Sequence, residues 1–262
     1  MSAPVERRVD AGGLDCRIWE KGTGPSLYWL APPPLLYRWT EVHEGLAARF
    51  RLVVCSLPGF PGNGRNHVGL DSQLDWCIAA RDLLAAAGFE PGGTLMGSST
   101  AGALAADVAA VWPDLVGRLI LVAPHGIFDA AEPTRDIFAL HPRDAASLLS
   151  ARPDTYKAQI AQPEGIEPVE WAIVTARANE AAARYLWPLG NTRVARRLPR
   201  ATAPTLLIWG SADAIIPPSY AGRFRNAIGS EATIVEVAGA GHNVEIDAPQ
   251  DVAEQVVRFA AG

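Results

Sequence analysis

The stretch Thr94–Gly102, TLMGSSTAG, carries the strongest structural signal in this chain. A short apolar run typical of a buried strand leads through a turn of small residues into an alanine-rich helical segment, Thr100–Trp112. Ser99 lies at the turn, where a tight connection between strand and helix strains the backbone and projects the hydroxyl out of the sheet. Gly97 and Ala101 supply the small side chains that the crossing of strand and helix requires. The stretch therefore predicts a strand–turn–helix unit with Ser99 at its turn.

Strands and helices are predicted to alternate on both sides of this unit. Apolar runs typical of strands occur at residues 14–20, 26–31, 51–55, 94–96, 119–122, 205–209 and 233–237. Helical patterns separate or follow them at residues 41–49, 71–87, 100–112, 219–228 and 250–260. Strands that alternate with helices indicate a parallel sheet with helices on both faces.

Residues 126–200 interrupt this alternation. They contain no strand pattern of comparable quality, and their helix-compatible pieces are separated by prolines. The length of 262 residues suits one domain with an insertion better than two independent domains. We therefore predict an α/β core formed by residues 1–125 and 201–262, with residues 126–200 as a helical insertion above one end of the sheet.

The overall composition excludes several classes of protein. With 49% hydrophobic residues the chain can build a sizeable core, which excludes disorder for its bulk. The formal net charge of −5 argues against nucleic acid as a partner, because binding it requires clustered positive charge. Cys16, Cys55 and Cys77 are widely spaced and show neither a disulfide nor a metal-ligand pattern. The N-terminus lacks a secretory signal pattern and no stretch is apolar enough to span a bilayer, so we expect a cytoplasmic protein without a membrane partner or a metal.

Two further polar residues follow predicted strands. Asp213 ends the stretch TLLIWGSAD at 205–213, and His242 ends VAGAGH at 237–242. Both lie where parallel strands end, which is the side of an α/β sheet at which ligands bind. A serine hydroxyl needs a base to remove its proton, and the base needs a third group to fix its tautomer. A loop carboxylate and a surface histidine are the simpler interpretations taken singly, but their occurrence in order after Ser99 favours a catalytic set.

Together these features resemble the α/β-hydrolase superfamily over essentially the whole chain. The resemblance rests on three motifs, GSSTAG at 97–102, LIWGSAD at 207–213 and GAGH at 239–242. It implies an α/β fold with an eight-stranded, mostly parallel sheet, helices on both faces and a helical cap inserted after strand 6. By this resemblance Ser99 is the nucleophile, His242 the base and Asp213 its partner, and no cofactor is needed.

The expected function is that of a serine hydrolase that cleaves a carboxylic ester or a related acyl compound through an acyl-enzyme. Aromatic residues in the predicted cap favour a small-molecule substrate with an apolar or aromatic acyl group. The candidates for contacting it are His125, where the sheet meets the cap, with Phe128 and Trp187 in the cap. Relatives that cleave carbon–carbon bonds of ring-fission products commonly carry tryptophan after the histidine, whereas Asn243 follows His242 here. The sequence does not indicate an oligomeric state.

Prolines occupy the position of one expected oxyanion donor. The helix that begins at Thr100 offers a free backbone N–H to a developing oxyanion. The superfamily usually adds a second N–H from the loop after the third strand, and by alignment this position falls on Pro33, which has none. Leu35, or failing that Leu36, offers the first amides after the prolines, and we expect Leu35 to supply the second donor.

This departure leaves two other functions open. A lyase, cyclase or isomerase could use the Ser–His pair for acid–base chemistry and dispense with the oxyanion hole. A ligand-binding protein could keep the pocket without catalysis, although the intact set of Ser99, Asp213 and His242 counts against it.

Overall fold

An eight-stranded sheet forms the centre of the computed structural model, which describes residues 3–188, 190–229 and 231–261. The strands are β1 (Val5–Asp10), β2 (Asp15–Lys21), β3 (Ser26–Leu30), β4 (Arg51–Cys55), β5 (Gly93–Ser98), β6 (Val116–Val122), β7 (Thr205–Gly210) and β8 (Ala232–Val237). Their order across the sheet is β1-β2-β4-β3-β5-β6-β7-β8. The pairs β1–β2 and β2–β4 are antiparallel and every other neighbouring pair is parallel. The predicted fold class, a mostly parallel eight-stranded α/β sheet, is confirmed.

Helices follow most of the strands and pack against the sheet. They are α1 (Glu41–Ala47), α2 (Gln73–Ala86), α3 (Ser99–Val111), α4 (Pro142–Leu149), α5 (Pro153–Gln159), α6 (Pro168–Leu186), α7 (Ser219–Ala227), α8 (Val244–Asp247) and α9 (Pro249–Ala261). Helix α2 packs on α3, which contacts β5 and β6, and α1 packs on α9. Short 3₁₀ turns occur at Pro33–Leu35, Val194–Arg196 and Leu198–Arg200. None of the described helices combines the length and the apolar character needed to cross a bilayer.

Strand β1 was not predicted from the sequence, and its surroundings explain why. Only Val9 of its six residues is buried, so the strand has no apolar run to reveal it. It pairs along its whole length with β2 at the edge of the sheet. Cross-strand charges support the pairing, with Arg7 Nη1 3.1 Å from Glu20 Oε2. An edge strand exposed on both faces is defined by its partner and not by its own hydrophobic pattern.

The connection between β5 and α3 has the tight geometry that the sequence predicts. Ser99 has a φ of 47°, a left-handed conformation that non-glycine residues rarely adopt. A Cβ at Gly97 would lie 2.3 Å from Ala105 Cβ, and one at Gly102 would lie 2.9 Å from Pro124 Cβ. The strand, the helix and the end of β6 therefore approach each other as closely as backbones allow. This close approach holds the turn at Ser99 in place.

Residues 126–200, called the cap segment below, lie between β6 and β7 in the chain. Their described residues form α4, α5, α6 and two 3₁₀ turns, and no strand. Polar side-chain contacts connect the segment to the rest of the protein. His67 Nε2 lies 2.6 Å from Glu180 Oε2 on α6, and Arg197 lies 2.7 Å from the buried carboxylate of Asp107 on α3.

The crossing at Gly97 predicts a large difference between two glycine substitutions. Gly97→Ala forces a methyl group against Ala105 in a fully packed region, and overpacking of this kind costs about 1–3 kcal/mol. Gly222→Ala is the matched control, because its Cβ meets nothing within 4 Å on helix α7, where alanine is preferred by up to about 1 kcal/mol. Urea denaturation measures both free energies of unfolding. A Gly97→Ala protein as stable as wild type would show that the crossing is looser than described.

Candidate active site

Three side chains from distant parts of the chain meet at the carboxyl edge of the sheet. Ser99 follows β5, Asp213 follows β7 and His242 follows β8. Ser99 Oγ lies 2.8 Å from His242 Nε2, and His242 Nδ1 lies 2.9 Å from Asp213 Oδ2. The exposed fraction is 8% for Ser99, 2% for His242 and 6% for Asp213. The structure thus brings together the three residues that the sequence singled out, in hydrogen-bonding order.

The surroundings of Asp213 fix the orientation of the imidazole. The backbone amides of Ile215 and Ile216 donate to Asp213 Oδ1 at 2.8 and 2.9 Å, which leaves Oδ2 for the histidine. A carboxylate cannot donate, so His242 Nδ1 carries the hydrogen of that pair and Nε2 is left to accept from Ser99. The arrangement therefore presents a basic nitrogen to the serine hydroxyl.

Residues 238–243, between β8 and α8, carry His242 and are called the histidine loop below. This loop is held on two sides. A Cβ at Gly210 would lie 2.2 Å from Gly241 O, so only glycine permits the end of β7 to touch this loop. On the other side the buried carboxylate of Asp247 accepts the Gly241 amide at 2.7 Å. Oδ2 of the same carboxylate also accepts the Ala151 amide of the cap segment at 2.9 Å, and the Ser150 hydroxyl donates to Oδ1. Asp247 therefore joins the histidine loop to the cap segment.

Sequence reasoning did not identify Asp247 or Glu245 as parts of the site. Glu245 is only 3% exposed, and its carboxyl group is hydrogen-bonded to the Ser98 hydroxyl. The oxygen of that hydroxyl also accepts a hydrogen bond from the Trp29 indole N–H at 3.0 Å. Burial raises the pKa of Glu245 to about 7. Acidic residues shortly after His242 were the available signal, but a sequence does not show that such a carboxylate is buried.

The two predicted oxyanion donors have different surroundings. Thr100 lies in the first turn of α3, where backbone N–H groups have no partner within the helix. The Leu35 amide instead donates to Pro32 O at 3.0 Å, and the Leu36 amide donates to Pro33 O at 3.0 Å, because these residues form a 3₁₀ turn. The prediction that Leu35 supplies the second donor is therefore wrong, since its N–H is already used within the turn.

A cavity of about 180 Å³ opens beside Ser99 and His242. Its walls come from residues 32–34 after β3, called the proline loop below, from the cap segment, and from four residues after the ends of β5 and β8, namely Ser99, Thr100, His242 and Asn243. The lining residues are Pro32, Pro33, Pro34, Tyr37, Ser99, Thr100, Ile137, Phe138, Leu149, Tyr156, Ile160, Thr175, Asn179, Ala182, His242 and Asn243. Lys, Arg, Asp and Glu are absent from this set, which is drawn from the residues that the structure describes. The cavity is therefore lined by apolar surface and uncharged hydrogen-bonding groups.

The three residues predicted to contact a substrate do not line this cavity. Trp187 is 58% exposed and Phe128 is half-buried elsewhere, whereas Phe138 of the same segment does form part of the wall. His125 is buried with its ring 5.5 Å from that of His242. Burial, together with the neighbouring His242, lowers the pKa of His125 to about 3, so the ring is neutral. The structure therefore places none of the three in the cavity wall, and the ring of His125 lies against that of His242 outside the cavity.

A family comparison agrees with this geometry. The model of the alpha/beta hydrolase family matches residues 22–255, which is most of the chain. The chain belongs to the alpha/beta hydrolase family. The chain is therefore an α/β-fold hydrolase, and its mostly parallel eight-stranded sheet agrees with that membership.

Individual relatives are more distant. The chain is 28% identical to the dihydrolipoyllysine-residue acetyltransferase component of the acetoin cleaving system of Pseudomonas putida, over 98% of this chain and 69% of that protein. It is 24% identical to the 2-hydroxy-6-oxo-6-(2'-aminophenyl)hexa-2,4-dienoic acid hydrolase of Metapseudomonas resinovorans, over 98% of this chain and 91% of that one. A meta-cleavage product hydrolase from Pseudomonas fluorescens IP01 has a similar structure, with a TM-score of 0.77 and 17% identity over 97% of each chain. At that identity the structural likeness shows a shared fold.

Glu245 predicts a pH dependence of stability with a definite sign. Its carboxyl group has an ordinary pKa of 4.5 in the unfolded chain and one of about 7 in the folded protein. Between these values the unfolded state has released a proton that the folded state still holds, so the free energy of unfolding falls as the pH rises. Across this pH range the free energy of unfolding falls by a total on the order of 3 kcal/mol. Glu245→Gln is expected to remove it, giving a protein more stable than wild type at pH 8 and no more stable at pH 4.

Urea denaturation at pH 4, 6 and 8 measures this difference. Glu254→Gln is the matched control, because Glu254 is exposed on α9 and its replacement is expected to leave the pH dependence as in wild type. If Glu245→Gln is no more stable than wild type at pH 8, then ionisation of the buried Glu245 carboxyl group does not destabilise the folded protein.

Proposed function

We propose that this protein is a serine hydrolase that cleaves small, uncharged carboxylic esters through an acyl-enzyme. The observation that carries the proposal is the hydrogen-bonded series Ser99 Oγ, His242 Nε2, His242 Nδ1 and Asp213 Oδ2 at the wall of a cavity whose described lining contains no Lys, Arg, Asp or Glu. Family membership supports hydrolysis, and this geometry supports the choice of a covalent serine mechanism.

The chemistry follows from the positions of these atoms. His242 Nε2 removes the Ser99 proton while Oγ attacks the ester carbonyl carbon. The resulting oxyanion accepts a hydrogen bond from the Thr100 amide at the N-terminus of α3. His242 then protonates the departing alcohol, which leaves an acyl group on Ser99. Water that gives its proton to His242 then attacks the acyl-enzyme, and His242 passes this proton to Ser99 Oγ as the acid leaves, while Asp213 stabilises the imidazolium in both steps.

The cavity favours a substrate of limited size without charge. An apolar protein cavity of roughly 150 Å³ holds a benzene molecule, so about 180 Å³ suits a short-chain or single-ring acyl group. A buried carboxylate requires a cationic partner, and the described lining residues include neither lysine nor arginine. The relative from Metapseudomonas resinovorans is named for a dienoic acid, which carries such a carboxylate. We therefore place neutral esters ahead of that substrate class for this chain.

The cap segment has a defined part in this proposal. Ile137, Phe138 and Leu149 from residues 126–200 form one wall of the cavity. We propose that the segment works as a cap over the α/β core and selects the acyl group, while the core residues perform the chemistry.

A panel of p-nitrophenyl esters tests the function. Acetate, butyrate and benzoate esters are expected to be hydrolysed, whereas the hemisuccinate, whose acyl group carries a carboxylate, is expected to react at least tenfold more slowly. Ser99→Ala is the control and should lower turnover at least about a thousandfold, because the nucleophile is removed. Equal turnover by wild type and Ser99→Ala, or turnover by neither, would overturn the proposal.

A non-hydrolytic reaction is the second candidate, because Pro33 removes an expected oxyanion donor. A lyase or isomerase would use Ser99 and His242 only to move protons. Reaction of the best carbonyl substrate in ¹⁸O-labelled water separates the two functions, since only hydrolysis introduces the label into the acid product. An unlabelled product formed by wild type and lost in Ser99→Ala would favour the second candidate.

A further inference from the structure

Two backbone N–H groups are expected to stabilise the oxyanion in the proposed mechanism, and the structure provides one of them at Thr100. The Thr100 amide is available at the start of α3, but Pro33 has no N–H and the Leu35 amide is used within its own turn. Removing one donor from an oxyanion hole typically lowers kcat by about 10²–10³. A second hydrogen-bond donor beside Ser99 would offset this loss, and the cavity wall includes side chains with hydroxyl and amide groups.

Helix α5 of the cap segment bridges the two loops that flank this position. Its N-terminal end is attached to the histidine loop, because the Arg152 amide donates to Asp247 Oδ1 at 3.2 Å while the Gly241 amide donates to the other oxygen of Asp247. Its C-terminal end is attached to the proline loop, because Gln159 Nε2 donates to Pro34 O at 3.0 Å. The helix therefore spans the distance from the catalytic histidine to the prolines that displaced the expected amide.

Tyr156 lies between these two attachments and lines the cavity together with Ser99 and Thr100. The residue is only 6% exposed, and its hydroxyl group has no hydrogen-bond partner among the described residues. Burial raises the pKa of this phenol to about 12, so the hydroxyl keeps its hydrogen at any pH at which the protein functions. A buried phenol without a partner is thus held at the wall where an oxyanion donor is missing.

Other uncharged donors at the cavity are less suitable. Tyr37 is half-buried, and its ring packs against Trp171 of α6 with centroids 4.6 Å apart. Asn179 is exposed on α6. The Thr100 hydroxyl lies near the hydroxyl of Tyr185, which does not line the cavity, and neither of these two hydroxyl groups has a hydrogen-bond partner among the described residues. Tyr156, by contrast, is buried, and its helix contacts both the histidine loop and the proline loop.

We propose that the Tyr156 hydroxyl is a catalytic hydrogen-bond donor that stabilises the oxyanion together with the Thr100 amide, in place of the amide lost at Pro33. The phenol keeps its proton throughout, so the steps of acyl transfer are unchanged. This inference rests on the proposed function, because it assigns a residue to the same reaction.

Tyr156→Phe and Tyr37→Phe form a matched pair for the test, since both remove a phenol oxygen from the same cavity. With the best ester of the panel, Tyr156→Phe is expected to lower kcat about 10²–10³-fold and to change KM by less than about threefold. Tyr37→Phe is expected to lower kcat by less than tenfold. A larger loss of kcat in Tyr37→Phe than in Tyr156→Phe would overturn the assignment.

Binding of phenylboronic acid provides a readout that does not need turnover. Addition of Ser99 Oγ to boron gives a tetrahedral adduct with an oxygen at the oxyanion position, and calorimetry measures its affinity. Tyr156→Phe is expected to weaken binding about 10²-fold or more, whereas Tyr37→Phe should weaken it by less than tenfold.

If wild type hydrolyses no ester but binds the boronate with this pattern, the proposed function fails and the donor assignment stands. If turnover depends on Ser99 while Tyr156→Phe alters neither kcat nor boronate affinity, the assignment fails and the function stands.

A second variant covers the case in which Tyr156→Phe does not fold. Replacement of Tyr156 by 3,5-difluorotyrosine keeps the ring and the hydroxyl but makes the phenol more acidic. Because a phenolate cannot donate, activity is expected to gain a new decrease toward high pH that wild type lacks. A pH profile identical to that of wild type would count against the hydroxyl as a donor, whatever the stability of the phenylalanine variant.

Discussion

The close crossing of β5 and α3 is the constraint on which the rest of this structure depends. Gly97 and Ala105 approach so closely that one additional methyl group does not fit, and the chain passes between them through a left-handed residue, Ser99. A strained backbone of this kind persists only where its surroundings leave no alternative. Here the buried strand and the buried helix on either side supply that restraint, and the proposed nucleophile Ser99 and the free amide of Thr100 share one turn as a result.

Two buried aspartates, Asp213 and Asp247, hold His242 and its loop in place by accepting hydrogen bonds. Asp213 uses one oxygen to accept two backbone amides and the other to hold His242. Asp247 accepts the Gly241 amide next to that histidine and the Ala151 amide of the cap segment. Each carboxylate is buried because several N–H groups satisfy its charge. Glu245 lacks such a set and is the group whose pKa burial raises to about 7.

The cap segment contributes directly to the walls of the site. Helix α5 connects the histidine loop to the proline loop, and α6 is attached to the core through His67 and Glu180. The position of Tyr156 in the cavity depends on both ends of α5. In the proposed function, a change in this segment would thus alter the position of the proposed oxyanion donor as well as the space for a substrate.

Local patterns in the sequence determined the α/β fold and the order Ser99, Asp213, His242, because strand runs, helical spacing and turns of small residues depend on near neighbours. Only the tertiary structure decided that β1 completes the sheet, that Phe138 and not Phe128 or Trp187 faces the cavity, and that the Leu35 amide is already bonded. These outcomes depend on contacts between residues far apart in the chain. The exposure of a cap side chain follows from how its helix is attached to the core, and no local pattern contains that information.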